Sequence, residues 1–82
     1  MTTNKEFSRA IAAQLRGIIA SKEISRTELI ERTGLKDRTL TRYLNDPPQL
    51  TIENIKLMTD AVGADFMTVL DAAEQSLNDQ TR

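Results

Sequence analysis

Arg38 and Arg42 stand four residues apart in the segment Asp37-Arg38-Thr39-Leu40-Thr41-Arg42-Tyr43-Leu44-Asn45. On a helix that spacing turns both guanidinium forks to one side, because residues i and i+4 share a face. A guanidinium fork fits guanine O6 and N7 together in the DNA major groove, and each such contact discriminates between bases by about 1–3 kcal/mol. Asp37 has two readings, an acceptor for cytosine N4 or a first-turn acid complementing the helix dipole. Thr41 and Asn45 fall on the same side, with Thr39 at its margin, while Leu40, Tyr43 and Leu44 face the other way. The bland alternative for the arginines is a solvated basic face. Like charges at i and i+4 mildly destabilise an isolated helix, however, and so ask for an anionic partner.

A helix this short has to be held by others, and the chain supplies four more with no stretch that alternates as a strand would. Thr3 and Glu6 have capping-box spacing ahead of a stripe of Phe7, Ile11, Leu15 and Ile18, which predicts a first helix over Asn4 to Lys22. Ser25 and Glu28 repeat the pattern before Leu29 and Ile30, and Gly34 closes a second helix over Arg26 to Thr33. Pro47 and Pro48 stop the Asp37 helix. Thr51 caps a fourth helix over Ile52 to Val62 that ends at Gly63, and Asp65 caps a fifth carrying Phe66, Val69, Leu70, Ala73 and Leu77. Asn78 to Arg82 are expected to fray. The fold class is therefore all-α, a single five-helix domain over residues 1–82, and the pair Arg26–Thr33 and Asp37–Asn45 around Gly34 has helix-turn-helix spacing.

Composition narrows the chemistry. The chain has no cysteine and no histidine, which removes disulfides, thiolate chemistry and the commonest zinc ligand. It carries no phosphate-cradling glycine loop and no isolated pair of carboxylates, Asp60 reading as a surface acid and Asp65 as a cap. We therefore expect no enzyme, no metal and no cofactor. No apolar run approaches a membrane span and Met1 to Phe7 do not read as a signal sequence, so a soluble cytoplasmic protein is expected. The formal net charge of -1 argues superficially against a polyanionic partner. Its distribution argues the other way: residues 1–21 hold three basic and one acidic side chain, residues 22–42 six and four, and residues 43–82 two and seven. Such asymmetry orients a molecule in the field of a polyanion.

The run Ile24-Ser25-Arg26-Thr27-Glu28-Leu29-Ile30, followed through Gly34-Leu35 to Leu40 and Tyr43, resembles the lambda-repressor-like family, also called the Cro/cI or XRE type. Ile55-Lys56-Leu57-Met58 and Val62-Gly63-Ala64-Asp65, with Phe66 and Leu70, resemble its closing helices, so the likeness spans about Leu15 to Leu70. The resemblance implies double-stranded DNA as partner and a transcriptional regulator, expected to be a repressor of phage or bacterial type. It places Asp37, Arg38, Thr39 and Arg42 at base-contacting positions, to which the helix face adds Thr41. It gives Lys36, Tyr43, Asn45 and Thr51 to the DNA backbone, which positions without specifying. Arg26 stands where the family contacts phosphate or supports the first recognition-helix residue, the phosphate role suiting arginine. Ile30 departs from the family's alanine, from which a wider angle between the two motif helices is expected, and Thr33 departs from its aliphatic residue, from which looser packing under the turn is expected.

One short recognition helix reads few base pairs, and family members usually bind palindromic half-sites as dimers. A homodimer through the fifth helix is expected, its candidate interface Phe66, Val69, Leu70, Ala73 and Leu77, with Phe66 and Leu70 mainly core and Ala73 and Leu77 freer to meet a partner. No separate oligomerisation or self-cleavage module is expected. The competing class is an interaction module, an antitoxin or antirepressor whose acidic helices bind a basic protein such as a toxin.

Overall fold

Short polar side chains set where the helices begin. The computed structural model describes residues 4–80, and among them it forms α1 (Lys5–Lys22), α2 (Arg26–Thr33), α3 (Asp37–Asn45), α4 (Ile52–Val62) and α5 (Phe66–Gln80). The cap of α1 is Asn4, whose side-chain oxygen accepts from the Phe7 N–H at 2.7 Å. Thr3, expected in that role, lies outside the described residues. Ser25 accepts from the Glu28 N–H and caps α2. The Glu28 carboxylate turns along the helix to Arg32 at 3.0 Å. Thr51 and Asn54 form a reciprocal capping box on α4, which satisfies two of the amide donors that every helix start leaves orphaned. Asp65 accepts from both the N–H and the hydroxyl of Thr68 at the start of α5, and these bonds hold its carboxyl below the usual value. A lowered carboxylate pKa stabilises the fold above the unfolded value and loses that contribution as pH falls through the folded one.

Helix ends follow the glycines. Gly34 and Gly63 take φ of 73° and 70° at the ends of α2 and α4, a left-handed conformation that glycine adopts without Cβ strain. The α1 end is different, since Glu23 adopts φ of 55° there and the Ile24 N–H returns to the Ile19 carbonyl at 3.1 Å. At the far end, α5 stays helical through Gln80. Helix therefore replaces the fraying expected from Asn78 onward up to that point, in a stretch that contains neither glycine nor proline.

The core takes one to three large side chains from each short helix. Leu29 from α2, Leu40 and Leu44 from α3, and Ile55, Met58 and Val62 from α4 are buried with Ile11 and Leu15 of α1. Fully burying such a side chain stabilises by about 1.5–3 kcal/mol. Val69 and Ala73 of α5 belong to this same core. That corrects the expectation for Ala73, which is fully enclosed within one chain and cannot meet a partner. Phe66, Leu70 and Leu77 are half-buried at its edge. The Val69–Ala73 line of α5 thus faces inward and the neighbouring line of Phe66, Leu70 and Leu77 lies at the margin.

The loop after α3 is fixed to α1 from inside. Pro47 and Leu50 are buried, and the Leu50 N–H donates to the hydroxyl of the buried Ser8 at 2.9 Å. Removing a buried acceptor costs about 1–3 kcal/mol. We expect Ser8→Ala to lower unfolding stability by that amount in a urea titration, and an unchanged midpoint would show that the bond does not anchor the loop.

Candidate nucleic-acid interface

The recognition-type helix separates cleanly into two sides. Leu40 and Leu44 are buried, Tyr43 and Thr39 are half-buried, and Asp37, Arg38, Thr41, Arg42 and Asn45 are exposed. The base-contacting candidates thus share one exposed face, with Thr39 at its margin. Among the described residues no carboxylate lies within ion-pair distance of Arg38, Arg42 or Lys36, whereas Arg9, Arg26, Arg32 and Lys56 each have one. Lys36, Arg38 and Arg42 thus stand together on and beside α3, with Lys5 a further such cation at the start of α1. That is the arrangement expected where charge is kept for a partner.

Three other basic side chains are spent inside the protein. Arg16 donates to the Leu44 carbonyl at the end of α3. Lys22 donates to the Val62 and Gly63 carbonyls, and Arg32 to the Ala61 carbonyl, at the end of α4. Helix C-termini leave carbonyls without partners and carry partial negative charge, so cations are favoured there. The basic first half of the sequence is therefore only partly an external surface, which its charge count alone did not show.

Arg26 sits across the turn from α3. Its Nη1 donates to the Thr41 hydroxyl at 3.1 Å and its Nε lies 3.6 Å from Asp37 Oδ1. In the unbound protein Arg26 therefore supports two residues of the exposed face. Both members of the ion pair are largely exposed, with side-chain exposures of 41% and 64%, so a competing anion can replace the carboxylate at little cost. Asn45 donates to the Thr41 carbonyl, holding its amide at the rim of α3. Thr51 accepts from Asn54 as a cap, and Lys36 is exposed at the α3 start.

Thr33 shows why a polar residue suits the turn. Its hydroxyl donates to the Leu29 carbonyl at 2.7 Å and accepts from the Leu35 N–H at 3.1 Å. The turn between the two motif helices is tied by hydrogen bonds rather than loosened as expected. The Arg26 link to Thr41 and a second ion pair, Arg9 with Asp46 at 3.7 Å, escaped the sequence. Their partners lie 15 and 37 positions away, and no local periodicity reports such pairs.

An exposed ion pair contributes about 0–1 kcal/mol to stability. Arg26→Ala should thus change unfolding stability by less than about 1 kcal/mol in denaturant titration. A larger loss would make Arg26 a structural brace rather than a surface contact.

Comparison with known proteins agrees with this geometry. Residues 14–71 match the model of the Cro/C1-type HTH DNA-binding domain. The crystal structure of the clp gene regulator ClgR from C. glutamicum is similar, with a TM-score of 0.77 and 26% sequence identity over 85% of this chain and 91% of that one. A search of curated proteins found no match. Helices, turn, exposed basic face and family model all coincide on the same segment, and the chain belongs to the Cro/C1-type helix-turn-helix DNA-binding family.

Proposed function

We propose that the protein is a repressor that reads its operator through Arg38 and Arg42. It is a DNA-binding transcriptional regulator by family, and the finer reading rests on one observation: two exposed arginines four apart, without carboxylate partners among the described residues, on the helix that the motif presents to the major groove. Asp37, Thr39 and Thr41 complete the base-contacting face. Arg26, Lys36, Tyr43, Asn45 and Thr51 hold the DNA backbone and set the angle of approach. Repression follows from occupancy, since a protein seated in the groove excludes the polymerase from the same DNA.

The protein acts as a homodimer in this reading, because a nine-residue helix spans too few base pairs for useful selectivity alone. The flank that supports it is the half-buried line of Phe66, Leu70 and Leu77 together with Met67. Met67 is the exposed large hydrophobic residue of the described chain, at 58%. Val69 and Ala73, buried in the monomer, support the flank from behind.

Selection from a random DNA pool at fixed salt should return a palindrome, reporting specificity and two-fold symmetry together. On the selected site, Arg38→Ala and Arg42→Ala should each cost about 1–3 kcal/mol, with a smaller effect on random DNA. Fluorescence anisotropy measures both. Equal binding of the variants and the parent to selected and random DNA would remove these arginines from readout.

A further inference from the structure

The recognition helix is bracketed by two exposed arginine–aspartate pairs. At its N-terminal end Arg26 meets Asp37 at 3.6 Å, and just past its C-terminal end Arg9 of α1 meets Asp46 at 3.7 Å. A nine-residue helix is about 13 Å long at 1.5 Å per residue, and each end of the helix that the motif lays in the major groove has an exposed arginine beside it.

Resting on the DNA-binding reading above, we propose that Arg9, with Lys5 one turn before it, is a second phosphate-contacting site on α1, and that Asp46 holds Arg9 until a backbone phosphate displaces it. Lys5, Arg9 and Arg16 fall on one side of α1 by their spacing of four and seven. Arg16 fixes which side that is, because it donates to the Leu44 carbonyl at the end of α3. The loop carrying Asp46 is pinned to the same helix by the buried Leu50 to Ser8 bond, one residue from Arg9. Arg9 is thus carried on a rigid element beside the recognition helix while its own side chain stays 58% exposed and that of Asp46 79%.

The exchange is chemically even. A phosphate offers the guanidinium the same forked acceptor geometry as a carboxylate, so Arg9 changes one anionic partner for another. An exposed pair is weakly held and screened by salt, so the exchange meets little resistance. Asp46 then repels DNA only while its charge is unpaired, which makes the Arg9–Asp46 unit a site that works through arginine and is tuned by the aspartate.

The test is anisotropy on the selected site and on random DNA over a range of salt. Arg9→Ala should weaken both complexes alike and reduce the slope of log affinity against log salt by roughly one, while Arg9→Lys keeps the slope. Asp46→Asn should tighten binding by about 2- to 5-fold, the equivalent of releasing an exposed ion pair, and should tighten it less in the Arg9→Ala background, where only the charge repulsion is relieved and no arginine is freed. Parent-like affinity and slope for Arg9→Ala would overturn the site, and equal tightening by Asp46→Asn in both backgrounds would overturn the role of Asp46. If Arg38→Ala impairs binding while Arg9→Ala is silent, this inference fails alone. If the parent protein selects no DNA, the reading beneath it fails.

Discussion

The carbonyl ends of α3 and α4 finish against cations carried by other helices, and the placement of the recognition face depends on these contacts. Every α-helix leaves its last carbonyls without internal partners, and the helix dipole makes that end attractive to positive charge. Here Arg16 of α1 takes the end of α3, while Lys22 of α1 and Arg32 of α2 take the end of α4. One set of interactions links α1 to α3, α1 to α4 and α2 to α4. Helices of eight, nine and eleven residues are too short to be stable alone in water, and side chains that reach between their ends are an economical way to fix them beside the apolar core.

The same contacts divide the basic residues by task. Arg16, Lys22 and Arg32 satisfy the fold and leave Lys36, Arg38 and Arg42 facing outward without carboxylate partners among the described residues. Arg26 stands between the two groups, since it braces Thr41 and Asp37 from across the turn yet remains exposed enough to change partners. A chain with a formal charge of -1 can present a cationic face in this way, because residues 43–82 hold seven acids against two bases while Lys36, Arg38 and Arg42 stand together on and beside α3.

Individual residues show where pattern reading succeeds. Ser25, Thr51 and Asp65 each cap the helix they precede, and Gly34 and Gly63 take the left-handed conformation at helix ends. These are local effects, complete within a few residues, so spacing alone reveals them. Thr33 resists such reading. Its departure from an aliphatic pattern looks like weakened packing in sequence, yet its hydroxyl joins Leu29 and Leu35 across the turn. Ala73 resists it differently. A stripe of Phe66, Val69, Leu70, Ala73 and Leu77 identifies an apolar helix face but not how far that face is turned under its neighbours.

The sequence by itself determined the five helices, the caps of α2, α4 and α5, the glycine stops of α2 and α4, the helix-turn-helix spacing and the side of α3 that carries Arg38 and Arg42, because each depends on periodicity and capping within a few residues. Only the tertiary structure decided which cations face inward to helix ends, which half of the α5 stripe is core, and which arginines bracket α3. Those outcomes join residues 11 to 41 positions apart, and contacts over such separations are set by helix packing angles that no single segment encodes.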